Sequence, residues 1–316
     1  MNSPQPVTEQ ALLFDCQGSQ LLGVLSCGAH CAQALGVVVV VGGPQYRAGS
    51  HRQFVMLARQ LAAAGYAVLR FDCRGMGDSP GERRTFEDLG DDVRAASSAL
   101  LLAAPAVQRV VLWGLCDGAS AALLSLYQQP DPRVAGLCLV NPWVRSAASL
   151  AKTHVKHYYW QRLHERSFWT KLFSGRVAVT AARDLVSNLR LALGAPQATK
   201  AGVAAGGHNN KDSARPFQER MALAWAGFDG AVLLLLSEHD HTAQEFVEFS
   251  QGHAAWQQAL RQRPPQRVTL AGADHTCSAP AAQRAAEEAT LRWLNHLTLT
   301  VMSRTPITTQ TQVAAA

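Results

Sequence analysis

Five consecutive valines, Val37 to Val41, follow Gly36 in an uninterrupted apolar run. A strand wetted on one face alternates apolar and polar residues, so a run without a polar position reads as a strand buried on both faces, as in the middle of a parallel sheet. Such a sheet needs helices on both sides and crossover connections between its strands. The flanking sequence supplies them. Ala11 to Asp15 and Gln20 to Ser26, separated by Gln17-Gly18-Ser19, read as an N-terminal hairpin. His51 to Ala64 carries Phe54, Leu57, Ala58 and Leu61 at helical spacing and stops at Gly65. Tyr66 to Asp72 reads as a strand, Arg74 to Gly81 as a glycine-rich turn and Phe86 to Ala104 as a helix. Arg109 to Gly114 and Val134 to Val140 are further strands around a helix from Asp117 to Gln129. After a long interruption the alternation resumes with strand Ala231 to Leu236, helix Ala243 to Arg261, strand Gln266 to Leu270 and helix Ala281 to His296.

The expected fold class is therefore α/β, a mostly parallel central sheet of about eight strands flanked by helices, with a helical cap inserted. Residues 1–142 are expected to form the first part of the core, 143–228 the cap or lid, 229–300 the second part of the core, and 301–316 a disordered Thr/Gln/Ala-rich tail. With 316 residues the chain is long enough to bury such a core without staples.

Neither a leader-like start nor an apolar run long enough to cross a bilayer is present, which predicts a soluble, unexported protein with no transmembrane segment. Seven scattered cysteines, an odd number, suit reduced thiols and a cytoplasmic location. Cys27 and Cys31 flank His30, but no second ligand pair follows, so neither a metal nor any other cofactor is expected. The net charge of +6 is concentrated in residues 143–228, with 13 Lys and Arg against 4 Asp and Glu. Two readings fit this bias: a solvated surface, or a region that attracts an anionic substrate, carrier or membrane surface. Lys152, His154, Lys156, His157, Arg162 and Arg166, interleaved with Tyr158, Tyr159 and Trp160, are its densest part. No nucleic-acid-binding module accompanies them.

The strongest local signal is Gly114-Leu115-Cys116-Asp117-Gly118, set between a buried strand and an Ala/Leu-rich helix. In a turn of this kind the central residue takes a strained conformation, and glycines two residues to either side let strand and helix approach. Cys116 is then a nucleophile at a helix N-terminus, where free N–H groups favour negative charge on sulfur. The alternative is a small buried cysteine in a strand-turn-helix. Chain order places an acid after a late strand and a histidine before the last helix, positions filled by Asp240 and His275. Glu238 is a rival acid, Asp274 reads as a loop-shaping residue, and His239 and His241 read as ordinary loop histidines or, as the weaker alternative, as metal ligands with Asp240. Backbone N–H groups for an oxyanion are expected from Asp117 and from the loop Gly42-Gly43-Pro44-Gln45. Pro44 has no N–H, so Gly43 is the first choice and Gln45 the second.

At these motifs the chain resembles the α/β-hydrolase superfamily, in particular its serine aminopeptidase-like and lysophospholipase-like branch. Gly42-Gly43-Pro44, the stretch Phe71 to Ser79, and Asp274-His275 carry the resemblance. More narrowly, Gly42 to Phe54, Leu112 to Asp117 and Asn141 to Arg145 are similar to the first type of exosortase A system-associated hydrolase. The resemblance implies a bacterial cytoplasmic enzyme accessory to exopolysaccharide and exosortase systems, with no defined substrate. Cys in place of the usual Ser at position 116 leaves three functions open: an ester, thioester or amide hydrolase working through a covalent acyl-enzyme, an acyltransferase with the same triad, or a non-catalytic binding relative of the fold. The expected partner is a small-molecule or carrier-linked acyl substrate, anionic if the basic region binds it.

Overall fold

The computed structural model describes residues 6–29, 31–43, 45–145 and 215–304. Eight strands form one sheet: β1 (Val7–Cys16), β2 (Ser19–Gly28), β3 (Leu35–Val40), β4 (Ala67–Phe71), β5 (Arg109–Leu115), β6 (Val134–Val140), β7 (Ala231–Ser237) and β8 (Gln266–Leu270). Their order is β1-β2-β4-β3-β5-β6-β7-β8. β1 and β2 run antiparallel to each other, and β2 antiparallel to β4. All pairings from β4 to β8 are parallel. The valine run pairs on both sides, Val38 with Leu69 and with Leu112, and every residue of β3 is buried.

Helices α1 (Gln53–Ala63), α2 (Gly90–Ala103), α3 (Asp117–Gln128), α4 (Phe217–Gly227), α5 (His241–Gly252), α6 (Ala254–Gln262) and α7 (Pro280–Arg304) cover the faces. Successive strand residues point to opposite faces, so the sheet divides its apolar side chains between two cores. Val38, Val40, Leu69 and Leu112 join residues of α2, α3 and α4 in one. Val37, Val39, Val68 and Val111 join residues of α1 and α7 in the other. In the first core Trp256 meets Trp225 and Phe246 edge-on, with ring centroids 5.6 and 5.2 Å apart. Each such contact adds about 0.5–1.5 kcal/mol to the area the rings bury.

The chain separates into two compact units, residues 1–144 with 213–316, and residues 145–212. The sheet belongs to the first, and α4 packs there against α3 and α6. The basic-aromatic stretch from Lys152 to Arg166 lies outside the described residues.

Several expectations need correction. The hairpin strands are longer than expected, because Gln17 and Gly18 both take positive φ (50° and 77°) and close a two-residue turn that lets pairing run from Cys16–Ser19 out to Val7–Gly28. The helix expected from Ala243 to Arg261 is two helices, broken where His253 is extended at φ −110°, ψ 121°. The last helix runs on to Arg304, into the expected tail, while residues 305–316 lie outside the described ones. The cysteines are not all free thiols: Cys27 and Cys31 are joined in a disulfide, their Cα atoms 5.7 Å apart, within normal bridging range. The other five are free. Among the described residues, no helix is long and apolar enough to cross a membrane.

Candidate active site

Cys116 sits where β5 ends and α3 begins, at φ 58° and ψ −123°, a conformation that costs a non-glycine residue about 1–3 kcal/mol. Hydrogen bonds hold it there. Its N–H donates to Val140 O at 2.9 Å, and its carbonyl accepts from the N–H groups of Ala119, Ser120 and Trp143 at 3.1–3.2 Å. The flanking glycines are required by space. A Cβ on Gly114 would stand 2.6 Å from Ala119 N, and one on Gly118 would stand 2.4 Å from Val40 O.

Asp240 follows β7 and caps α5, accepting from the N–H groups of Thr242 at 3.0 Å and Ala243 at 3.3 Å. Its Oδ2 lies 2.9 Å from His275 Nδ1. Burial pushes the Asp240 carboxyl up, but the His275 hydrogen bond and the two capping N–H groups outweigh it and hold the pKa below its ordinary value. His275, in the loop between β8 and α7, lines the same pocket as Cys116. Its pKa is pushed up to about 10, first by Asp240 and then by Cys116, against the opposing effect of burial. Asp240 and His275 are hydrogen-bonded and Cys116 lines the same pocket as His275, so three different strand ends bring the three groups to one place.

The rival groups lie elsewhere. Glu238 is exposed and accepts from Gly272 N at 2.7 Å. Asp274 accepts from Ser278 N at 2.8 Å, shaping the loop that carries His275. His239 and His241 are exposed. Among the described residues no group of three or more His, Cys, Asp or Glu is placed to hold a metal ion.

A pocket of about 300 Å³ opens over Cys116. Leu115, Phe54, Phe86 and Trp143 give it apolar walls, and Gly42, Gly43, Gln45, Asp117 and His275 complete the lining. Gly43 and Asp117 are thus beside the sulfur, as an oxyanion site requires. The Asp117 carboxylate lies against the Gly42–Gly43 loop, its Oδ1 2.1 Å from where a Cβ on Gly42 would stand. Burial raises the Asp117 pKa above its ordinary value, with nearby backbone N–H groups and His275 opposing it.

Two groups that the sequence reading passed over support the site. Asn141, fully buried at the end of β6 with φ 46°, accepts from Ser237 N at 2.8 Å. Its amide donates to Ser237 Oγ at 3.0 Å and to His275 O at 3.2 Å, tying the β6 and β7 ends to the histidine loop. Asp72, after β4, is also fully buried; it accepts from Arg47 N at 2.7 Å and Asp78 N at 3.0 Å and pairs with the Arg47 guanidinium. That pair anchors the loop containing Gly42 and Gly43. The one signal for both was their place in the stretches that carry the family resemblance, Asn141-Pro142 and Phe71-Asp72.

The solved structures similar to this chain share its fold at low identity. An esterase of Pyrococcus furiosus superposes with a TM-score of 0.57 at 14% identity, covering 92% of this chain and 91% of that one. A dienelactone hydrolase of Anabaena variabilis gives 0.55 at 15% identity, covering 92% and 98%. No curated protein matches the chain. The family model described as serine aminopeptidase, S33, matches residues 32–303, the sheet from β3 onward together with the strand-end loops that hold Cys116, Asp240 and His275. The chain accordingly belongs to this serine aminopeptidase (S33) family of α/β-hydrolases.

Proposed function

We propose that this α/β-hydrolase cleaves an ester, thioester or amide through a Cys116 thioester, with His275 as proton carrier and Asp240 as its orienting acid. The observation that carries the reading is the His275–Asp240 hydrogen bond beside Cys116, which stands on a strained strand-to-helix turn and shares a pocket with His275. The Asp240 carboxylate raises the basicity of His275, which suits it to take the Cys116 proton as the sulfur attacks. The thiolate adds to the acyl carbonyl, forming the C–S bond while the carbonyl π pair moves onto oxygen. Collapse of the adduct breaks the bond to the leaving group, which departs with the His275 proton. Neutral His275 then takes a proton from water as that water attacks the thioester, and collapse of the adduct breaks the C–S bond, the sulfur takes the proton back from His275, and the acid product leaves. The pocket's apolar walls and volume of about 300 Å³ suit an acyl group of modest size, on a small molecule or a carrier.

An amine or alcohol in place of water makes the same thioester an acyl-transfer intermediate, and product analysis separates the two outcomes. We further infer cytoplasmic action accessory to exopolysaccharide and exosortase systems, on the similarity of Gly42 to Phe54, Leu112 to Asp117 and Asn141 to Arg145. The test is labelling of full-length protein by acyl-ester probes, with the adduct located by mass spectrometry. Selective acylation of Cys116 that disappears in Cys116→Ala and falls at least about 100-fold in His275→Ala is expected, within the usual range for general acid–base assistance. Labelling spread over other cysteines, or indifferent to His275, would refute the reading.

A further inference from the structure

β1 is the last strand of the sheet, and among the described residues no strand pairs with its outer side. It is long for an edge, 10 residues, pairs with β2 without a bulge, and holds no Lys, Arg or Pro. Bulges, basic residues and proline are the usual means of stopping an open edge from recruiting another strand. The turn fixes which backbone groups are open. Gln17 and Gly18 form a two-residue turn, so Cys16 and Ser19 exchange hydrogen bonds, as do alternate residues back along β1: Phe14, Leu12, Gln10 and Thr8 with their β2 partners. The N–H and C=O groups of Asp15, Leu13, Ala11 and Glu9 therefore point outward. Their side chains share one face, on which Ala11 and Asp15 are exposed and Leu13 is 65% exposed. Met56, 47% exposed, lies one turn before Arg59 on the side of α1 that reaches Glu9, and extends the apolar rim. On the other face Leu12 and Phe14 are only half-buried.

We propose that two copies of this chain pair antiparallel through β1, about a two-fold axis at Leu13, so that their sheets become continuous. A two-fold axis normal to the sheet sets residues of one face opposite each other, so one residue of β1 must face its own copy. Three residues lie near enough the middle of the strand to serve. Centring on Leu12 sets Glu9 against Asp15, like charges directly opposed. Centring on Ala11 sets Leu13 against Glu9 and Leu12 against Gln10, apolar against polar. Centring on Leu13 sets Leu13 against itself and Leu12 against Phe14 twice, with Ala11 against Asp15 and no like charges opposed. Glu9, already paired with Arg59 and Arg70, then stays outside the apolar centre. Because the Leu13 backbone points outward, this centre also gives two reciprocal N–H to C=O hydrogen bonds across the axis. The apolar side chains that β1 leaves open thus find their match in the same strand of a second copy, which makes the partner this chain and not a foreign strand.

The test is sedimentation of the full chain, joined to cysteine cross-linking. Wild type is expected to be a dimer at about 10–100 µM, the range suited to a modest interface. Ala11→Pro removes an outward N–H while sparing the ladder to β2, and should weaken the dimer about tenfold or more with an unchanged far-UV circular dichroism spectrum. Leu13→Lys sets two ammonium groups against each other at the axis and should do the same; it decides alone if the proline variant does not fold. Leu13→Cys should give a disulfide-linked dimer on mild oxidation, since directly opposed, hydrogen-bonded residues have Cα atoms about 5.5 Å apart, within bridging range. Ala11→Cys, opposed to Asp15 of the second copy, should link far more slowly, and wild type controls for the native cysteines. Wild type that stays a monomer throughout this range overturns the proposal. A dimer that both Ala11→Pro and Leu13→Lys leave intact places the contact on another surface and overturns it equally. Linking at Ala11→Cys in preference to Leu13→Cys, or at neither, overturns the axis at Leu13.

Discussion

Replacing Asn141 with Ala strikes the one side chain that links two strand ends to the histidine loop. Three hydrogen bonds disappear: Ser237 N to Asn141 Oδ1, and the amide to Ser237 Oγ and to His275 O. The buried Ser237 N–H loses its partner, which costs about 1–3 kcal/mol, and the two amide bonds contribute about 0.5–1.5 kcal/mol each. Alanine must also take the left-handed φ of 46°, worth about a further 1 kcal/mol relative to asparagine, which tolerates it better. The expected loss is about 3–7 kcal/mol in equilibrium urea unfolding. Asn141→Gly separates the contributions, because glycine adopts that φ without strain while losing the same hydrogen bonds. It should unfold at higher urea than Asn141→Ala, by about 1 kcal/mol. Both variants should also acylate Cys116 more slowly, since a displacement of about 1 Å in a reacting group can cost about 100-fold. An Asn141→Ala loss below about 1 kcal/mol, or a glycine variant less stable than the alanine one, would refute the clamp.

Asp240→Asn keeps an N-cap for α5 but removes the strongest of the groups holding a proton on His275, whose pKa is raised from 6.5 to about 10. Because the folded value lies above the unfolded one, stability linked to this proton is complete below pH 6.5 and fades as pH rises towards about 10. Thermal unfolding across that window should show the difference between wild type and variant shrinking with pH; a constant difference would refute the linkage. Arg47→Met leaves the fully buried Asp72 carboxylate without its cation, at about 3–5 kcal/mol. Asp72→Asn in the same chain should recover part of that loss, and a double variant no more stable than Arg47→Met would show that the pair is not the anchor.

The layout of the sheet could be read from the sequence because burial on both faces leaves a local trace: Val37 to Val41 and Leu233 to Leu236 carry no polar position at all. The turn around Cys116 was legible for a similar reason, as its glycines are spaced by the geometry of a single bend. The break at His253 left no such trace. Phe246, Trp256 and Ala259 are all buried, and one extended residue between two helices does not interrupt the apolar pattern. Asn141 and Asp72 act on partners up to 134 residues away, a pairing set by topology and not by spacing. The Asp117 side chain was hidden differently: the sequence marks its N–H as an oxyanion donor, whereas only the rotamer reveals where its carboxylate goes. Cys27 and Cys31 were misjudged because an odd total of cysteines says nothing about one close pair.

The backbone beneath Cys116 is packed main chain against main chain, Gly114 against Ala119 and Gly118 against Val40. Directed evolution of new acyl preferences therefore has little freedom at the floor of the site and much at its walls. Libraries that hold these two glycines fixed and diversify Gln45, Phe54, Phe86 and Trp143 would explore shape while leaving the corner that presents the sulfur intact.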